Sequence, residues 1–157
     1  MSDRKAPFLI VAVRGERCAI HLRDIAEVME TFTVFPIPKE PPSLLGVMNF
    51  HGSPVPVLDL ASFLHGAPPT GSGPVLVLDH GIASLALRVD TVERILFEGW
   101  EADTDLAVDE FMGTPVSGGD AEIRLLLLER VVEKLDEVLR GGSSGVVRTV
   151  QAVTNAP

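Results

Sequence analysis

Apolar residues fall in short runs along this chain, several alternating with polar positions, and Gly or Pro closes nearly every run. The run 8–13 is β-rich and ends at Arg14-Gly15-Glu16-Arg17, a hairpin turn. Cys18, Ile20 and Leu22 then alternate with Ala19 and His21, which predicts a strand with one face inward and His21 outward. Asp24 is placed to cap a helical turn over 25–28, after which the chain extends to Phe35. Pro36, Pro38, Pro41 and Pro42 forbid regular structure next. Residues 46–50 and 55–58 read as strands joined at His51-Gly52-Ser53, with Val47, Val55 and Val57 on the apolar face. Asp59 caps a short helix over 60–64. The stretch 66–74, rich in Gly and Pro, divides the chain into two parts of similar length.

The second part repeats this style. Strands are predicted at 75–78, 82–89 and 92–97, with Asp79-His80-Gly81 as a turn. A polar, acidic stretch covers 98–110, followed by a strand at 111–116 and a Gly118-Gly119-Asp120 turn. Residues 125–128 are apolar on all sides, which suits a strand buried on both faces. Beyond Glu129, residues Val131, Val132, Leu135, Val138 and Leu139 form one helical face, opposite Arg130, Glu133, Lys134, Asp136 and Glu137. The helix ends near Gly141, and the tail 141–157 opens Gly-Gly-Ser-Ser-Gly and reads as a mobile extension. Fourteen Gly and twelve Pro spread through the chain favour many short strands, so the pattern is all-β with a short C-terminal helix.

Composition narrows the function classes. At 157 residues, 46% hydrophobic and 22% charged, the chain is one globular domain's worth. Its net charge of −9 opposes nucleic-acid backbones and anionic membrane surfaces. It has no Tyr, and with 5% aromatics it lacks stacking platforms for single strands. The single cysteine, Cys18, has no internal partner, which suits a reducing compartment. Arg4 and Lys5 precede an apolar run too short for a signal peptide, and no run approaches the ~20 residues of a membrane helix. A soluble cytoplasmic protein is expected.

Candidate chemistry is sparse. His21, His51, His65 and His80 sit on separate elements without metal-ligand spacing. Asp103, Asp105 and Asp109 begin like a calcium loop, but Ala107 and Val108 stand where a ligand and a Gly are required. Gly71-Ser72-Gly73 lacks the Lys-Ser/Thr of a phosphate loop, and Ser53 near His51 lacks a nucleophile elbow. No catalytic residue, metal site or cofactor is predicted. A mean hydropathy of +0.29 leaves apolar residues to fill a core or to meet a partner.

One set of motifs is more specific. Ile37-Pro38-x-x-Pro41, then 45–52 as Leu-Gly-Val-Met-Asn-Phe-His-Gly, then 56–60 as Pro-Val-Leu-Asp-Leu, resemble the signature of the CheW-like adaptors of bacterial chemotaxis. The order extends outward through Asp24-Ile25-Ala26-Glu27-Val28 and the segment 87–96, covering about 7–140. The resemblance implies two SH3-like five-stranded β-barrel subdomains around a shared hydrophobic core, with residues 1–6 and 141–157 as extensions and a linker near 66–74. It implies a non-catalytic adaptor coupling methyl-accepting chemoreceptors to a CheA-type histidine kinase, with no direct membrane insertion. The family's partner surfaces map here to Ile25, Glu27, Val28, Gly46, Asn49 and His51. His51 stands where the family has Arg, and Thr91 where Gly is common. A divergent module of another chemosensory pathway, and a ligand-binding or catalytic β-barrel, are the competing readings.

Overall fold

The structure, a computed structural model, describes residues 7–38, 41–66, 68–69, 72–97, 100–101, 110–117 and 123–141. Its strands are β1 Phe8–Val13, β2 Glu16–His21, β3 Ile25–Met29, β4 Leu44–Phe50, β5 Ser53–Asp59, β6 Val75–Leu78, β7 Ala86–Arg88, β8 Thr91–Leu96, β9 Trp100–Glu101, β10 Met112–Ser117 and β11 Arg124–Leu126. Two helices, α1 Leu60–His65 and α2 Leu128–Gly141, complete it.

Local chemistry sets the hairpins. Arg14 and Gly15 turn β1 into β2 with φ of 51° and 83°, and His51 and Gly52 turn β4 into β5 with φ of 50° and 85°. Two successive positive φ angles give the mirror-image turn whose twist matches paired strands. Asp90 holds the first turn by accepting the Arg14 N–H at 2.6 Å, while its own N–H donates to the Ala12 carbonyl at 3.0 Å. Asn49 Oδ1 holds the second by accepting the Gly52 N–H at 2.8 Å.

The strands form two sheets, β8-β1-β2-β11-β10-β9 and β3-β6-β7-β5-β4. Most pairs are antiparallel; β2–β11 and β5–β7 are parallel. Each sheet draws strands from both parts of the chain, and α1 precedes and β6 follows the stretch 66–74, of which 67, 70 and 71 lie outside the described residues. The first sheet has six strands, and neither sheet is closed by its ladders. β1 is buried at every position except the half-buried Ala12, so it takes a partner on both edges, and β8 supplies the second.

Alternation on two buried faces explains the core. Leu9, Val11 and Val13 of β1 join Leu76, Leu78, Leu58 and Leu87 of the second sheet in one central cluster. Leu128, Val131, Leu135 and Leu139 of α2 seal the same cluster. The intervening residues Phe8 and Ile10 pack with Ala19, Val116, Ile123 and Leu125 on the other face of the first sheet. Val75 and Val77 pack with Met48, Val55, Val57 and Ala86 on the other face of the second.

Several elements differ from the sequence expectations. His21 is buried at 6% exposure, its ring 4.7 Å from that of Phe8, because it shares the face of β2 on which Ala19 packs with Phe8, Ile10 and Ile123. A 3-10 turn at Leu22–Asp24 precedes β3, so residues 25–28 extend as a strand instead of coiling. Pairing with β6 overrides the weak helical signal there. The two-residue turn places Met48 opposite Val55 and Val47 opposite Pro56, so Val47 faces the central cluster and Met48 takes its expected place. β7 is shorter than the predicted 82–89 because residues 79–82 form a turn held by Asp79, which accepts the Gly81 N–H at 3.0 Å. α2 starts at Leu128, ahead of the expected boundary, and Val138 is 39% exposed. The acidic stretch, the Gly118-Gly119-Asp120 turn, the Asp103–Asp109 cluster and the tail beyond Gly141 lie outside the described residues, apart from β9 and Glu110. No described helix is long and apolar enough to cross a membrane.

Cys18 sits fully buried in the central cluster. Burial first, and the nearby Glu16 carboxylate second, push its thiol up to about 12. Thiolate is the reactive form, so Cys18 should react with a disulfide reagent at pH 8 at least 100-fold more slowly in native protein than in denaturant. Equal rates would show the site to be open. The linkage has a sign as well. An unfolded thiol ionises near ~8.5 while the folded one stays protonated, so stability should decline as pH rises from about 8.5 towards 12.

Candidate functional site

The two edges of the five-stranded sheet meet at one exposed place. β3 pairs only with β6, and β4 only with β5, among the described ladders. Past β3 the chain returns across β4: Phe35 donates its N–H to the Val47 carbonyl at 2.8 Å and accepts the Val47 N–H at 3.0 Å. Glu27 Oε1 on β3 then lies 3.4 Å from His51 Nε2 at the β4–β5 tip.

β3 has an irregular register between Ile25 and Glu27, and this sorts its side chains. Ile25 is half-buried and packs against the central cluster. Ala26, Glu27 and Val28 are exposed, Val28 at 38%. The His51 side chain is 74% exposed and its ring stands edge-on to Phe50, with centroids 4.3 Å apart. A contact this exposed contributes little to stability, so it orients the two side chains more than it stabilises the fold. Phe35, at 62% exposure, adds a large apolar surface on the crossing segment.

The structure brings Glu27 and His51 into contact, with Val28 next to the first and Asn49 two residues before the second. Asn49 is itself exposed, but its amide oxygen is committed to the turn. Gly46 is set apart: it is buried, with φ at 146° beneath the Phe35–Pro36 backbone, and presents no surface. Sequence reasoning missed Phe35, whose exposure depends on the crossing segment, although an apolar residue beside Pro36 was a visible signal.

It also missed the buried pair of Asp59 and Arg88. Arg88 Nε donates to Asp59 Oδ1 at 3.1 Å, and Nη2 lies 2.9 Å from the same oxygen without hydrogen-bond alignment. Asp59 Oδ2 accepts the Ser62 N–H at 3.0 Å, so one carboxylate caps α1 and ties β5 to β7. The two residues are 29 positions apart, and no spacing rule links them.

Two surface recesses offer other chemistry. One of about 420 Å³ is lined by Ala12, Gly15, Glu16, Arg17, Glu93, Met112 and Arg124, with Arg17 Nε 3.0 Å from Glu93 Oε1. Its two guanidiniums face two carboxylates, so it presents little net charge. The other, about 280 Å³, lies between α1 and α2 and is mostly apolar. Among the described residues no group of three or more His, Cys, Asp and Glu could hold a metal ion. His65 pairs with Glu16 at 3.3 Å and His80 sits in a turn.

Comparison with known proteins agrees with the architecture. The family model of the CheW-like domain matches residues 7–118. The crystal structure of the scaffolding protein TtCheW from Thermoanaerobacter tengcongensis is similar, with a TM-score of 0.69 and 19% sequence identity. The match covers 82% of this chain and 93% of that one. No curated protein matches by sequence.

Proposed function

The chain belongs to the CheW-like domain family, and from that premise we propose that it is a non-catalytic adaptor coupling chemoreceptors to a CheA-type histidine kinase in the cytoplasm. The observation that carries the reading furthest is the meeting of Glu27 and His51 at an exposed sheet edge, with Val28 beside them. Exposed charge around a small apolar centre suits a reversible protein interface. The fold part of the proposal is that each sheet curls as an SH3-like barrel around its own cluster, with the central cluster shared. Support comes from the approach of β3 and β4 and from the three-cluster core.

The test is a binding titration of this chain with a CheA-type kinase and with a chemoreceptor cytoplasmic fragment. Val28→Asp should weaken at least one of these complexes about 30-fold, the effect of losing a ~2 kcal/mol hot spot, without moving the melting temperature. Val28 is preferred to Ile25, whose packing against the core would confound binding with folding. Unchanged affinity for both partners would remove this edge from the interface, and no binding of either by the wild type would remove the adaptor reading.

A second reading, a divergent module of another chemosensory pathway, rests on His51. An imidazole offers at most two donors and no permanent charge, against the five fixed donors of Arg. If a partner awaits the family's Arg, His51→Arg should tighten binding to it several-fold. If the partner has adapted to His, the same variant should weaken binding.

A further inference from the structure

The Glu27–His51 contact pairs a permanent charge with one that depends on pH. Glu27 Oε1 lies 3.4 Å from His51 Nε2, and among the described residues it is the one charged group against the ring. The ring's other contact is the neutral Phe50, edge-on with centroids 4.3 Å apart. Asn49, on the same hairpin, directs its amide oxygen to the Gly52 N–H and not to the imidazole. Nδ1 therefore has no protein partner among the described residues and is open to a docking molecule.

An imidazole ordinarily changes charge near pH ~6.5, while carboxylates stay ionised down to about pH 4. Its neutral form has one N–H; its protonated form has two and a full positive charge. Above that midpoint the contact is a neutral donor beside an uncompensated carboxylate, and below it the two side chains carry opposite charges. In the free protein water moderates the difference, because both side chains are exposed. A partner that covers this edge removes the water. A carboxylate covered alone then costs more than one covered together with its counter-charge. Val28, exposed beside Glu27, makes the covered patch partly apolar and enlarges that difference.

We propose that protonation of His51 strengthens docking at this edge, so that partner binding tightens as the pH falls; this rests on the adaptor reading and adds regulation to it. With Nε2–H donated to Glu27, the added proton sits on Nδ1. The partner then meets a donor where the neutral ring offers an acceptor, and a carbonyl or carboxylate oxygen is the group suited to it.

The test is the affinity of the full chain for the kinase and for the receptor fragment at pH 8 and pH 6. At least one complex of the wild type should tighten about five-fold, the size expected when a charge-assisted hydrogen bond replaces a neutral one. His51→Asn keeps the turn, because Asn accepts the φ of 50° at this position, and its affinity should change less than two-fold. His51→Arg, charged at both pH values, should be equally flat. Glu27→Gln should lose the dependence as well, since the proton no longer balances a carboxylate. A flat wild-type profile, weakening towards pH 6, or a full dependence retained in His51→Asn would overturn the proposal. Full dependence in Glu27→Gln would overturn the pairing with Glu27. A reading without a partner separates this from the adaptor question: the Glu27 carboxyl carbon resonance should move at least twice as far between pH 8 and pH 6 in the wild type as in His51→Asn. Equal movement with binding intact would overturn the pair alone. No binding by the wild type at either pH would overturn the adaptor reading and this regulation with it.

Discussion

Replacing Arg88 with methionine should destabilise the fold by about 3–5 kcal/mol, because it leaves Asp59 buried without its counter-charge. The side chains of Arg88 and Asp59 are 8% and 7% exposed, so water cannot take over the lost interaction. Asp59 cannot turn away either. Its second oxygen caps α1 through Ser62, and its backbone N–H donates to the Ser43 carbonyl at 2.7 Å. Asp59→Ala should cost a comparable amount by a different route: it strands the guanidinium and removes the cap, the latter worth about 1 kcal/mol alone. The double change Asp59→Leu with Arg88→Met should be far milder than the sum. A buried ion pair replaced whole by apolar groups is often neutral, and here Nη2 already lacks an aligned acceptor, so the native pair is incompletely satisfied. Urea unfolding of wild type, Arg88→Met, Asp59→Leu and the double variant gives the cycle. A loss below about 1 kcal/mol in Arg88→Met would mean that the pair contributes little. Strict additivity would mean that the two residues act separately.

What could be read along the chain and what could not divide by the range of the interaction. The two hairpin turns are local, and Arg14-Gly15 and His51-Gly52 announce them. The motif that contains Asn49 and Asp59 led to the family, and Asp59 was legible as a cap because capping acts within three residues. The failures lie where a distant strand decides the outcome. His21 alternates as if outward, yet the face it shares with Ala19 is packed by Phe8 and by Val116, Ile123 and Leu125 from the far end of the chain. Residues 25–28 have a helical cap before them, yet β6 supplies the backbone partners that make them a strand. Of the candidate interface, Glu27 and Val28 are contiguous in sequence. Their meeting with His51 depends on how β3 and β4, the two outer strands of one sheet, come round to each other.

Gly46 is where those limits bear on experiment. The family resemblance marks it as a partner residue, while its surroundings predict a large folding defect on substitution. A Cβ here would lie against the Phe35 carbonyl oxygen and within 2.9 Å of the Pro36 Cα, both backbone atoms that have no rotamer to change. Its φ of 146° adds backbone strain of about 1–3 kcal/mol for any L side chain. Relief would require moving the 35–36 backbone outward, which breaks the paired hydrogen bonds between Phe35 and Val47. Gly46→Ala should therefore cost about 3 kcal/mol or more and lower the melting temperature by about 6–12 °C. Gly52→Ala is the matched control: its φ is 85°, but a Cβ there meets nothing within 4 Å, so only the conformational cost of about 1 kcal/mol remains. Because the 35–36 segment starts from β3, its displacement should also loosen the Glu27–His51 contact, and Gly46→Ala should weaken partner binding without Gly46 touching a partner. Melting and affinity measured on the same samples separate the two roles. If affinity falls while the melting temperature stays within about 2 °C of wild type, Gly46 acts at the interface itself and the steric account is wrong.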